Sequence, residues 1–223
     1  VEREMEIDVN GKIESAVINQ PSQLYFFIKR ILDIILSFVG IILCLPIFLV
    51  ISIAIIIDSP GNPFFSHKRL GLNGKIIKVY KFRSMYKNAE EMLKKLTPEQ
   101  KKEFEENFKL KDDPRITKVG AFLRKTSLDE LPQLFNILIG NMTIVGPRPI
   151  VEKELEKYGI YAEKFLSAKP GLTGLWQVSG RSDTTYEERV MLDMEYIDNR
   201  SILNDIIIIF KTILVVFKKS GAY

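Results

Sequence analysis

Residues 34–57 read IILSFVGIILCLPIFLVISIAIII, twenty-four positions from Ile34 to Ile57 without a formal charge. A helix rises about 1.5 Å per residue, so this run reaches across a bilayer core of roughly 30 Å. It starts too deep in the chain and runs too long for the apolar core of a secretory signal, and no small-residue cleavage site follows it. A core helix of a soluble protein is the alternative, but a segment apolar all round needs a much larger protein to enclose it. We therefore read the run as membrane-inserted. Pro46 in its middle removes a backbone donor, so a bend is expected there. Both flanks are basic: Lys29 and Arg30 precede the run, while Lys68, Arg69, Lys75 and Lys78 follow it. The positive-inside tendency would hold both ends on the cytoplasmic side. A re-entrant helix over 24–58, bent at Pro46 and entering and leaving through one leaflet, satisfies both facts. A single crossing with a proline kink stays open, because membrane helices tolerate proline.

Working outward, residues 1–23 hold five acidic groups and two basic ones, a net of −3, which leaves +7 for the rest of a chain whose total is +4. We expect an acidic N-terminal arm and a body drawn to an anionic membrane surface. The overall balance is too mild to imply nucleic acid. One cysteine, Cys44, excludes a disulfide framework, and one histidine, His67, excludes a His-rich metal site. With 46% hydrophobic residues in 223, the chain has ample material for a core and is not a disordered protein. A mean hydropathy of +0.04 is high for a chain with 27% charged residues, and the Ile34–Ile57 run accounts for it.

The remaining pattern predicts an α+β fold, mainly helical, with 59–223 as a cytoplasmic catalytic domain. Residues 76–83, IIKVYKFR, alternate apolar and basic positions as a strand does. Residues 87–111 are helical and charged, interrupted where Thr97 caps a second helix with Pro98 at its first position and Gln100 following. Leu131, Leu134, Phe135 and Leu138 mark an amphipathic helix closed by Gly140-Asn141. Residues 146–149 and 169–174 are rich in Gly and Pro and read as loops. Residues 185–200 are helical. Ile202–Phe217 is apolar but carries Asn204, Asp205, Lys211 and Thr212, which suits an interfacial or core-packed helix.

The acidic pair Asp129-Glu130 has two readings. Ser127-Leu128-Asp129-Glu130 is a capping box, with Ser127 as cap and Glu130 reaching back. That places Pro132 where its missing N–H breaks a helical bond, whereas a helix starting at Asp129 puts Pro132 in the first turn and leaves the Asp129 carboxylate partly unengaged. The second reading makes the pair a candidate for catalysis. Arg124 and Lys125 lie just before it, Lys81 and Arg83 sit on the basic strand, Arg148 stands between two prolines, and Arg181 follows a Gly-containing turn. Guanidinium groups match phosphate oxygens in pairs. Two adjacent carboxylates among such cations fit phosphoryl transfer with Mg²⁺, which takes one or two carboxylates plus substrate phosphates. Trp176 suits either stacking on a base or sugar, or a core or membrane-interface position.

Several motifs stand in a fixed order: Lys68-Arg69-Leu70-Gly71, Tyr80-Lys81-Phe82-Arg83-Ser84-Met85, Asp113-Pro114-Arg115-Ile116-Thr117, Thr126-Ser127-Leu128-Asp129-Glu130-Leu131-Pro132-Gln133-Leu134-Phe135-Asn136, Val145-Gly146-Pro147-Arg148-Pro149, Pro170-Gly171-Leu172-Thr173-Gly174 and Gln177-Val178-Ser179-Gly180-Arg181. Together, over residues 24–223, they closely resemble the bacterial sugar transferase family, the monotopic polyprenyl-phosphate phosphoglycosyl transferases. The resemblance implies a re-entrant membrane helix, a small α/β catalytic region and interfacial amphipathic helices at the cytoplasmic face of the bacterial inner membrane. It implies transfer of a sugar 1-phosphate from a UDP-sugar to undecaprenyl phosphate with release of UMP, at the start of exopolysaccharide, O-antigen or glycoconjugate assembly. By that likeness Asp129 is the nucleophile and forms an aspartyl-phosphosugar, Glu130 helps hold magnesium, and Lys81, Arg124, Arg148 and Asp193 match polar positions around the site. One departure is Leu45-Pro46, where small members often have Ser-Pro, so the break rests on Pro46 and its packing. Larger members carry an N-terminal bundle of membrane helices, so the chain is expected to be either a small form or the catalytic portion of a longer protein.

Two rivals stay open at this stage: an ordinary glycosyl transferase releasing UDP, and a non-catalytic membrane scaffold whose acidic pair caps a helix. The sequence names neither the sugar, for which the likeness leans to glucose or galactose, nor the oligomeric state, for which a homodimer is one option.

Overall fold

The computed structural model describes residues 21–107, 110–180 and 184–218; the acidic arm falls almost wholly outside them. Helix α1 (Gln23–Asp58) is 36 residues long, starts at Ser22, whose side chain accepts from Tyr25 N–H, and includes Pro46. By length and composition it is the one helix among the described residues able to cross a membrane. Its buried positions, Tyr25, Asp33, Ser37, Ile41, Phe48, Ile51 and Ile55, recur at helical spacing, so a single face meets the rest of the chain along the whole helix. The other face leaves residues such as Phe27, Ile35, Leu43, Val50 and Ile57 exposed.

Strands β1 (Phe64–Leu70) and β2 (Ile76–Phe82) form an antiparallel hairpin in which Phe64 pairs with Phe82 and Leu70 with Ile76. Its connection turns through Asn73 (φ 55°) and Gly74 (φ 73°), both left-handed. Helices α2 (Ala89–Lys94) and α3 (Pro98–Asn107) follow. The Thr97 cap is reciprocal: Gln100 N–H donates to Thr97 Oγ1 at 3.3 Å, and Thr97 N–H donates to Gln100 Oε1 at 3.1 Å.

Helix α4 (Lys118–Thr126) leads through a 3₁₀ turn, Leu128–Glu130, into α5 (Gln133–Leu138). Next come β3 (Thr143–Val145), the short helices α6 (Glu152–Leu155) and α7 (Ala162–Leu166), and β4 (Gly171–Thr173). β3 and β4 pair in parallel, so of the two Gly/Pro-rich segments expected as loops, 169–174 contains a strand and 146–149 directly follows one. The sheet exists because glycines let the backbones approach. A Cβ on Gly171 would fall on the backbone nitrogen of Gly146 and 2.6 Å from its Cα. Helices α8 (Leu175–Ser179), α9 (Tyr186–Asp198, capped by Thr185 and Glu188) and α10 (Ile202–Lys218) follow.

Among the described residues the fold is mainly helical with four short strands, held by three apolar clusters. Phe48, Ile51 and Ile55 of α1 pack on Phe82 and Leu123. Val79, Ile137 and Met142 form a second cluster. The largest gathers Leu70, Val145, Ile150, Tyr158, Phe165, Met194 and Ile208. Along α10, Asp205 and Ile208 are buried while Leu203, Phe210 and Leu214 are exposed, so that helix is both core-packed and apolar outward.

Polar contacts tie α1 down near both ends. Arg30 donates to the carbonyls of Ile137 and Leu138 at 2.8 Å each, satisfying the last turn of α5. The Asp33 oxygens accept from the Thr143 hydroxyl (2.7 Å) and Ile144 N–H (2.9 Å). At the far end Asp58 accepts Val119 N–H at 2.9 Å in the first turn of α4.

Candidate active site

The acidic pair does not cap a helix. Ser127 has left-handed backbone (φ 57°), makes no side-chain cap, and closes α4 instead. Pro132 sits directly before α5, where its missing N–H costs no helical bond. Between the two helices the 3₁₀ turn presents both carboxylates to the end of β2. Lys81 Nζ lies 2.7 Å from Glu130 Oε1 and 3.7 Å from Asp129 Oδ2. Arg148 Nη2 lies 3.4 Å from the same Glu130 oxygen.

The two acids titrate in opposite directions. Burial raises both, but for Glu130 the charges of Lys81 and Arg148, and their hydrogen bonds, outweigh it and hold the carboxyl down to about 2. For Asp129 burial wins: the attraction of Lys81, Arg124 and Arg148 is offset by the neighbouring Glu130 charge, and the pKa stays raised. The pair thus comprises a firmly ionised acid held by two cations and a buried carboxylate, 7% exposed, whose charge is less fully compensated.

The other residues expected at the site are placed differently from one another. Lys81 and Arg148 line one cleft with Glu130, together with Arg69 and Gln133. Arg124 is set beside the cleft, its Nε donating to Ser84 Oγ at 2.9 Å, within electrostatic reach of Asp129. Arg83 points elsewhere: its guanidinium donates to the Ser59 carbonyl just past the end of α1. Asp193 lies deeper, accepting the Tyr158 hydroxyl at 2.8 Å, and burial pushes it up to about 6 despite that bond and the nearby Arg189. Arg181 lies outside the described residues.

Behind Arg148 is an arrangement that spacing did not reveal. Glu154 stands between two arginines, Oε1 3.2 Å from Arg69 and Oε2 3.8 Å from Arg189. The Arg189 and Arg148 guanidiniums approach the Trp176 ring, at 4.6 and 5.9 Å from its centre, and Trp176 Nε1 donates to Thr184 at 2.8 Å. Arg69 stood inside a quoted motif without a role. Glu154 and Arg189 carried no local signal, since only tertiary packing brings them together.

This geometry suits an anionic, phosphate-bearing substrate facing two carboxylates. The family model for bacterial sugar transferases matches residues 24–219. The chain belongs to the bacterial sugar transferase family. It is similar to a sugar transferase of this family from Salmonella typhimurium named undecaprenyl-phosphate galactose phosphotransferase, 50% identical over 200 residues. That match takes in 88% of this chain and 42% of the Salmonella protein, so the chain spans less than half of that relative. It is also similar to the exopolysaccharide production protein ExoY of Sinorhizobium fredii, 46% identical over 198 residues, with 87% of this chain and 88% of ExoY covered. A third relative, from Escherichia coli, is named UDP-glucose:undecaprenyl-phosphate glucose-1-phosphate transferase and is 41% identical over 205 residues, 41% of its own length.

The donor set also bears on a metal. Among the described residues no three His, Cys, Asp or Glu side chains gather into a protein cage for an ion. Asp129 and Glu130 offer two hard carboxylates, which fits Mg²⁺ completed by substrate phosphates rather than by further protein ligands.

Proposed function

We propose that this chain is a membrane-bound phosphoglycosyl transferase that moves a hexose 1-phosphate from a UDP-sugar to undecaprenyl phosphate. The reaction releases UMP and starts a glycan on its lipid carrier. The observation that carries the reading is the buried Asp129 carboxylate, uncommitted to a helix cap, with Lys81 at 3.7 Å and Arg148 on the adjoining Glu130. The relatives' names support the substrate classes and favour galactose or glucose.

In the first step an Asp129 oxygen attacks the phosphorus that bears the sugar. The bond from that phosphorus to the oxygen bridging to the nucleotide breaks, and UMP leaves with the electron pair. In the second, an oxygen of undecaprenyl phosphate attacks the same phosphorus, the aspartyl oxygen departs, and Asp129 is restored. A carboxylate nucleophile divides one hard displacement into two. Lys81 and Arg148 hold Glu130 ionised and place positive charge where the phosphate oxygens gather. Mg²⁺, when held by Asp129 and Glu130, would neutralise diphosphate charge.

The docking of α1 supports a re-entrant helix over 24–58, with the catalytic body 59–223 at the cytoplasmic face of the inner membrane. Arg30 and Asp58 bond to parts of that one body. A helix crossing the bilayer between them would carry one away from its partner.

Incubation with UDP-glucose or UDP-galactose and undecaprenyl phosphate should yield UMP. Label from the sugar should become covalently attached to the wild type and not to Asp129→Asn. Release of UDP would establish an ordinary glycosyl transferase instead. Turnover undiminished in Asp129→Asn would refute Asp129 as the nucleophile, and no turnover by the wild type would leave the scaffold reading.

A further inference from the structure

A second cavity, about 220 Å³, opens at the foot of α1 and shares no lining residue with the acidic-pair cleft. Its walls include Lys29, Arg30, Lys169 and Arg200 against one carboxylate, Asp33. Asp33 is already engaged, since both its oxygens accept bonds from β3. Two of the cations are engaged as well. Lys29 is 2.6 Å from Asp205, and Arg30 caps α5.

Lys169 and Arg200 differ from these. Lys169 makes no hydrogen bond among the described residues, and burial together with the repulsion of Arg30 and Lys29 holds its pKa below the ordinary lysine value, against the pull of Asp33. Arg200 uses Nε for the Ile197 carbonyl (2.9 Å), and its terminal nitrogens make no hydrogen bond among the described residues. A half-buried ammonium and a guanidinium with unused donors line one cavity whose single lining carboxylate, Asp33, is already engaged, a setting that suits a further anion. The surroundings indicate what kind. Phe27 and Ile31 flank the lining residues Lys29 and Arg30 on α1, and Leu203 follows Arg200 at the start of α10; all three are exposed apolar side chains.

We propose that this pocket binds the phosphate headgroup of an anionic membrane lipid, with Lys169 and Arg200 as its donors and the acyl chains lying along the exposed face of α1. The bound lipid is separate from either substrate of the transfer reaction. Its phosphate bridges the segment before β4 to the α9–α10 connection, and its acyl chains lie against α1.

The test is native mass spectrometry of the whole 223-residue protein in detergent, with phosphatidylglycerol or phosphatidylcholine added. One phosphatidylglycerol should be retained in preference to phosphatidylcholine. Lys169→Gln/Arg200→Gln should lower that retention about tenfold or more, as expected for losing two charge-assisted contacts. Lys169→Arg should keep it, and matching thermal unfolding of the variants would show that the fold is intact. Equal retention of the two lipids, or by wild type and the double variant, would overturn the proposal. Displacement of the lipid by glycerol 1-phosphate at equal concentration would assign the pocket to a soluble phosphate and overturn the lipid assignment.

Discussion

Asn136 pairs with Tyr80 as though it belonged to a neighbouring strand. Its Oδ1 accepts Tyr80 N–H at 2.8 Å, and its Nδ2 donates to the Lys78 carbonyl at 2.7 Å. One fully buried side chain on α5 thereby fixes the free edge of β2 one residue before Lys81, and so sets the distance from that ammonium to the acidic pair. Asn136→Ala would leave a backbone donor and acceptor unpaired. The expected cost is about 2–4 kcal/mol, read as a lowered midpoint in denaturant, together with slower turnover because Lys81 loses its register.

Glu130 should make stability depend on acid. Its folded pKa, about 2, lies below the unfolded value of 4.5. The stabilisation is therefore complete above about pH 4.5 and disappears as the pH falls towards 2. Unfolding of wild type and Glu130→Gln should differ most at neutral pH and converge only as the pH falls to about 2. A gap that stays constant over this range would show that Lys81 and Arg148 do not hold the charge.

Asp193 should act in the opposite sense. Its folded pKa of about 6 exceeds the unfolded 3.8, so the folded state keeps a proton that the unfolded chain has lost. Stability should decline as pH rises from about 4 to about 6 and stay at the lower level beyond. Asp193→Asn can still accept the Tyr158 hydroxyl, and thermal unfolding across this window should show the decline abolished.

Gly171→Ala should fail to fold well, since its Cβ would strike the backbone of Gly146, which cannot move without breaking the β3–β4 pairing. A loss of at least about 3 kcal/mol is expected from such overpacking. Gly159→Ala is a useful contrast, because a Cβ there meets nothing within 4 Å. Its cost should come only from the left-handed φ of 50°. Paired unfolding curves in detergent would separate crowding from backbone strain.

Elements with a strong local signal were legible in the chain: α1 from its apolar run, β2 from alternation, α3 from its Thr97 cap, and α9 as the helical stretch 185–200. β3 and β4 were not. They are three residues each, set among Gly and Pro, and their pairing depends on two glycine backbones meeting across some 25 positions of sequence. β1 was also missed, because most of FFSHKRL is exposed and carries no alternation. At the site, Asp129, Glu130, Lys81 and Arg148 were readable because motif and charge coincide. Arg83 shows where periodicity misleads. It follows Lys81 by two, as residues on one face of a strand do, but β2 ends at Phe82 and the next side chain turns to Ser59. Glu154 between Arg69 and Arg189 could not be foreseen, because its partners lie 85 positions before and 35 after it.

Phe48, Ile51 and Ile55 share a core with Phe82 and Leu123, two residues that flank the Asp129-Glu130 turn in space. The apolar helix is therefore no detachable tether. Trimming it to obtain a water-soluble fragment would strip one wall from the compartment beneath Lys81 and Asp129. A flexible leash would let the cleft drift at any height above the lipid. On the proposed function, a helix built into the interior would instead fix the height at which Asp129 rides over the membrane surface.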